Sequence, residues 1–169
     1  MTYNRYDNGS EVLNVSSYLK DLLQATPFSK IYVGTDSQNV GSKTIFATVI
    51  VLHFNTSNGG HCIYSKDIVP RIKDKYTRLW GEVQRSVDAA NYLKHDCKID
   101  VSFIDLDLNA NVKEESNRVL ASAVGLCEQQ GFSARYKPGP AYAVRIADVI
   151  CRPVSKTRIR KRKKSDGNI

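Results

Sequence analysis

The sequence lacks most of the features that would place it in a specialised class. No apolar run approaches the roughly 20 residues needed to cross a bilayer. The opening MTYNRYDNGS has no apolar stretch of a secretory leader. A cytoplasmic protein with no membrane partner is therefore expected. Cysteine occurs only four times, at positions 62, 97, 127 and 151, with no CxxC pair. That excludes a paired-thiol redox motif and favours reduced thiols over disulfides. His61 and Cys62, with His95 and Cys97, match no standard zinc-ligand spacing. No glycine-rich loop could cradle a phosphate, and Asn58-Gly59-Gly60 reads as a turn. Internal repeats are absent.

Acidic charge is scarce in one place only. The formal net charge is +8, yet the segment from Arg152 onward holds eight Lys or Arg against one Asp, a balance of +7. The preceding 151 residues carry 17 basic and 16 acidic groups, only +1. A nearly neutral body, 1–151, is expected to form a single domain, with 152–169 a basic, disordered tail.

Within the body, apolar periodicity changes along the chain. Ser10 can cap a helix carrying Val12, Val15, Leu19, Leu22 and Leu23, which Pro27 ends. Three strand-like segments follow at 30–36, 44–54 and 61–69, separated by Gly41 and NTSNGG, and these predict an antiparallel meander. A helix over 75–94 aligns Tyr76, Leu79, Trp80, Val83, Val87 and Ala90, whose aromatics suit a core better than a base-stacking platform. A fourth strand is predicted at 99–107, then a helix begun by Asn111 and Glu114 and stopped by Gly131. A short strand at 132–136 leads to a last helix over 140–151, with Pro140 in its first turn. The expected fold is α/β: a mixed five-stranded sheet, three antiparallel strands then two βα units, with helices on both faces.

Four acidic residues interrupt these apolar patterns. Asp36 ends the first strand, Glu82 flanks the stripe of the long helix, Asp107 ends the fourth strand, and Asp148 lies in the apolar last helix. The first and fourth strands should be neighbours, with both helices beside their carboxyl ends. Converging carboxylates raise one another's pKa values unless a cation intervenes. All-oxygen ligands suit Mg²⁺ or Mn²⁺. Two such ions, about 3.5–4 Å apart, can clamp the attacking and leaving oxygens of a phosphoryl displacement. Each residue also has a plainer reading: Asp36 in a turn, Glu82 paired with Arg78 or Arg85, Asp148 paired with Arg145.

The segments YVGTDSQ (32–38), LWGEV (79–83), DLN (107–109), SN (116–117), KP (137–138) and AD (147–148) resemble the ribonuclease H-like superfamily, and more closely its YkuK family. The resemblance covers roughly residues 28–150. It implies a ribonuclease H-like fold and a divalent-metal-dependent nuclease acting on RNA, DNA or a hybrid. Asp36, Glu82, Asp107 and Asp148 would be catalytic and would ligate two Mg²⁺ or Mn²⁺ ions. Asp105, on the same strand face as Asp107, is the alternative ligand. Ala143 and Val144 occupy the positions where related exonucleases carry a water-orienting His or Tyr, which favours an endonuclease. Lys137 could contact a phosphate or remain a solvated loop lysine. The tail bases Lys156, Arg158, Arg160, Lys161, Arg162, Lys163 and Lys164 are expected to attract nucleic acid. The competing reading is a nucleic-acid-binding protein of the same fold with little or no catalysis. An actin-like ATPase is disfavoured by the lack of a paired phosphate loop.

Overall fold

The computed structural model describes residues 1–54 and 59–152. The seven tail bases from Lys156 to Lys164, expected to contact nucleic acid, therefore lie outside the described residues, as do positions 55–58 of the second hairpin turn. Among the described residues no helix is long and apolar enough to cross a membrane.

The meander forms as expected but with longer strands: β3 (Lys30–Val40), β4 (Lys43–His53) and β5 (Gly60–Pro70), successively antiparallel. Gly41, at φ +57°, opens the two-residue turn joining β3 to β4 in a conformation that favours glycine. Beyond helix α2 (Lys75–Asn91) and a π-helical turn (Tyr92–Asp96), β6 (Phe103–Asn109) pairs parallel with β3. After α3 (Asn117–Gln129), β7 (Ala134–Lys137) pairs parallel with β6, and α4 (Tyr142–Cys151) closes the described chain.

The sheet has seven strands where five were expected, in the order β2-β1-β5-β4-β3-β6-β7. The additions are β1 (Tyr3–Arg5) and β2 (Glu11–Val12), which extend the β5 edge. Ser10 caps no helix because the chain after it runs on as a strand, Glu11–Val12, while its N–H and hydroxyl donate to Asn8 Oδ1 at 2.9 and 2.7 Å. Val12 pairs with Tyr3, whose ring is buried in the core. Asn14 caps α1 (Val15–Ala25) instead, accepting from the Ser17 N–H at 2.9 Å. Asn111 likewise fails as a cap: its Oδ1 accepts from the Lys113 N–H in a local turn, and α3 starts six residues later. Pro140 lies just outside α4.

Side-chain alternation sorts the sheet faces. Ile31 and Val33 of β3, with Ile104, Leu106 and Leu108 of β6, pack under α1, α2 and α3. Tyr32, Ala47, Val49 and Val51 pack under α4 alone. At Gly34 the side chains of α4 come very close: a Cβ there would sit 2.9 Å from both Ala143 Cβ and Val144 Cγ1. Pairing of β3 with β6 spans only Tyr32–Gly34 against Phe103–Asp105. Past that point β3 continues beside β4 alone, and the sheet forks.

Candidate active site

The fork holds the carboxylates. Gly34 pairs with Asp105, so Asp36 and Asp107 each lie two residues past the last rung and share the α4 face. Cys151, at the end of α4, donates its thiol to the Asp36 carbonyl oxygen at 3.1 Å and ties the helix to the strand. Asp148 lies one turn earlier on α4. Glu82 approaches from the opposite face, on α2, where Ser37 of β3 points. The Ser37 hydroxyl donates to Glu82 Oε1 at 2.5 Å. Arg78, one turn before Glu82, donates to the Ser37 carbonyl at 2.8 Å and its hydroxyl at 3.1 Å. Its Nη1 stands 4.0 Å from Glu82 Oε1.

A cleft of about 210 Å³ is lined by Asp36, Glu82, Asp107 and Asn109, with Lys75, Arg78 and Lys137 at its rim. An adjoining hollow of about 130 Å³ shares Asp107 and Lys137 and adds Arg145 and Asp148. Three of the four expected carboxylates thus line one cleft, and Asp148 joins them through the wall at Asp107. Burial pushes the Asp36 carboxyl up to about 6, opposed by the Ser37 N–H and reinforced by Asp107 and Asp148. Burial pushes Glu82 up to about 8, against the Ser37 hydroxyl and Arg78 and with help from Asp36 and Asp107.

Among the described residues no three His, Cys, Asp or Glu side chains are oriented to grip one ion. Two of the carboxylates are engaged by cations. Lys137 Nζ lies 2.5 Å from Asp107 Oδ1. Arg152 pairs with Asp148, where the plainer reading names Arg145. Arg85, an alternative partner for Glu82, instead holds Asp67 at 2.5 Å. The donor set nonetheless fits a hard dication: it is all oxygen, and burial, reinforced by the neighbouring carboxylates, raises Asp36 and Glu82 above the usual carboxylate range. Rotation of exposed Lys137 and Arg152 would free two more carboxylates.

Asp105 has a different surrounding. It is fully buried. Arg135 Nε and Nη2 donate to its Oδ1 at 2.8 and 2.6 Å, and the Ala143 N–H donates to its Oδ2 at 2.8 Å. Its carboxylate therefore satisfies the N-terminus of α4. The Arg135 guanidinium lies over the Tyr32 ring at 4.2 Å, with Phe103 and Tyr142 close by. Asp105 lines neither hollow.

Sequence reasoning passed over Ser37 and Arg135. The first had a signal: it alternates with Asp36, so it must face the other helix layer and meet whatever α2 presents. Arg135 had none, since its partner is 30 residues away.

The ribonuclease H-like family model matches residues 13–152 of the chain. No curated protein matches it.

Proposed function

The chain belongs to the ribonuclease H-like family, and on that premise we propose that it is a divalent-metal-dependent nuclease hydrolysing phosphodiester bonds of RNA or DNA. The observation that carries this reading is the fork, where Asp36 and Asp107 stand side by side with Glu82 behind them and Asp148 adjoining. Asp36, Glu82, Asp107 and Asp148 would hold two Mg²⁺ or Mn²⁺ ions. Bound there, the ions would supply activation of a water and charge stabilisation for the leaving oxygen. The chain's own part is positioning and charge. Ser37 and Arg78 orient the Glu82 carboxylate. Lys137, exchanging Asp107 for a phosphate oxygen, would place the strand across the cleft. Ala143 and Val144 are buried against Gly34 and offer no polar group to orient water, which favours internal over end-directed cleavage. The tail bases would add attraction without sequence preference.

A second reading has its own observation. Lys137 and Arg152 occupy Asp107 and Asp148, so the fold could bind nucleic acid with little or no turnover. A panel of RNA, DNA, hybrid and branched substrates, with Mg²⁺ or Mn²⁺, separates the two. Metal-dependent cleavage that disappears in Asp36→Asn supports the nuclease. Binding to every substrate with no product from any of them would leave the second reading standing.

A further inference from the structure

Beside the start of α4 lies a groove of about 380 Å³, within the size range of small-molecule sites, that the carboxylates do not touch. Its walls include Tyr6, His53, His61, Tyr142 and Ile146. The Tyr142 and His53 rings lie nearly parallel, with centroids 5.0 Å apart and an interplanar angle of 17°. Tyr6 is 48% exposed and Tyr142 38% exposed, unusual for aromatic rings gathered in one place. Arg145 lines this groove and also the hollow that contains Asp107 and Asp148. Among the described residues it makes no ion pair or side-chain hydrogen bond, so its guanidinium is available at the junction of the two. Arg145 and Asp148 are three apart on α4 and therefore neighbours on its surface.

We propose that the groove stacks an unpaired nucleobase of a single-stranded segment, with Arg145 holding the phosphate that leads into the carboxylate cleft. This rests on the nuclease reading and sharpens it: the substrate would present single-stranded nucleic acid on one side of the reacting phosphate. A flat apolar face joined to an anion matches rings on one side and a cation on the other. A base inside a duplex is stacked on its neighbours and cannot enter. An apolar peptide would use the rings but leave Arg145 without a counter-charge.

The test is fluorescence polarisation of the full chain with labelled single strands in EDTA. One is a homothymidine 15-mer and the other a strand of equal length with every base removed. The wild type should prefer the base-bearing strand, and Tyr142→Ala should lose about tenfold of that affinity and most of the preference. Tyr142→Phe should restore both. Tyr6→Ala, away from the buried Arg135 contact, should give a smaller loss in the same direction. Arg145→Gln should weaken both strands equally. Unchanged base preference in Tyr142→Ala and Tyr6→Ala, with melting temperatures matching the wild type, would overturn the proposal. So would a change in sedimentation with unaltered strand binding, which would assign the groove to self-association. Because binding is read without divalent ions, a lack of turnover would sink the nuclease and leave this result intact.

Discussion

Asp105 and Asp107 stand two residues apart on β6 and point to the same sheet face, yet their surroundings share almost nothing. Around Asp105 both carboxylate oxygens have fixed partners: a guanidinium locked under three aromatic rings and the Ala143 N–H of α4. Around Asp107 the partner is a half-exposed lysine, and the neighbours are other carboxylates. The first arrangement is closed and depends on all its members. The second holds its charges by compensations that can be exchanged. A carboxylate on this strand can thus be a fastener or be left open to exchange, and what separates the two is whether its partner can leave.

The contrast breaks most visibly at Arg135. Arg135→Met would leave Asp105 buried without its cation, a loss of about 3–5 kcal/mol, or roughly 10 °C in thermal unfolding. A melting temperature within about 2 °C of the wild type would mean the cradle is no fastener. Asp107→Asn should do the reverse: near-normal stability, and cleavage down by roughly 10²–10³, or about 3–4 kcal/mol. Asp105→Asn should reduce cleavage only in part. The opposite ranking of the two asparagine variants in a turnover assay would exchange their roles.

A pH series sharpens the comparison. Asp36 and Glu82 hold protons more tightly folded than unfolded, with values raised from 3.8 to about 6 and from 4.5 to about 8. Their contribution to stability is complete below the unfolded values and is lost as pH rises through the folded ones. Without divalent ions the protein should therefore melt lower at alkaline pH than near pH 5. Glu82→Gln should flatten that slope by on the order of 2 kcal/mol, about 4–8 °C. Equal slopes in the two proteins would show that Glu82 is ionised throughout. Millimolar Mn²⁺ should raise the wild-type melting temperature by mass action and leave Asp36→Asn unmoved.

The smallest effect concerns the tail. Removal of 153–169, keeping Arg152 because it pairs with Asp148, should weaken nucleic-acid binding by about tenfold at low salt and flatten its salt dependence. Turnover at saturating substrate should persist. An unchanged salt slope would leave the tail as solvated charge.

Much of this was legible in the sequence because alternation and helical period are local. The meander, the β3–β6 neighbourhood and the three helices after it follow from apolar spacing, and the carboxylates stood out by interrupting it. What escaped depends on distant partners or on competing local bonds. Ser10 fits a cap equally well until Val12 pairs with Tyr3 and draws the following residues into the sheet. Parity along β6 could not distinguish Asp105 from Asp107; depth along the strand could, but the Arg135 that fixes Asp105 comes from another strand altogether. The groove at Tyr142 gathers rings from β4, β5, α4 and the N-terminal segment, a convergence that no spacing rule anticipates.

Gly34 lies one step before the fork and carries no side chain, yet it governs a dimension of the whole site. Ala143 and Val144 rest on its bare backbone, and about one turn past Val144 on the same helix stands Asp148. A single methyl at Gly34 would have to lift α4 off the sheet, carrying Asp148 away from Asp36 while every acidic group stayed in place. The gauge of the cleft is thus cut by an absent carbon atom, and any ligand held there would inherit a tolerance set by packing a few ångströms beneath it.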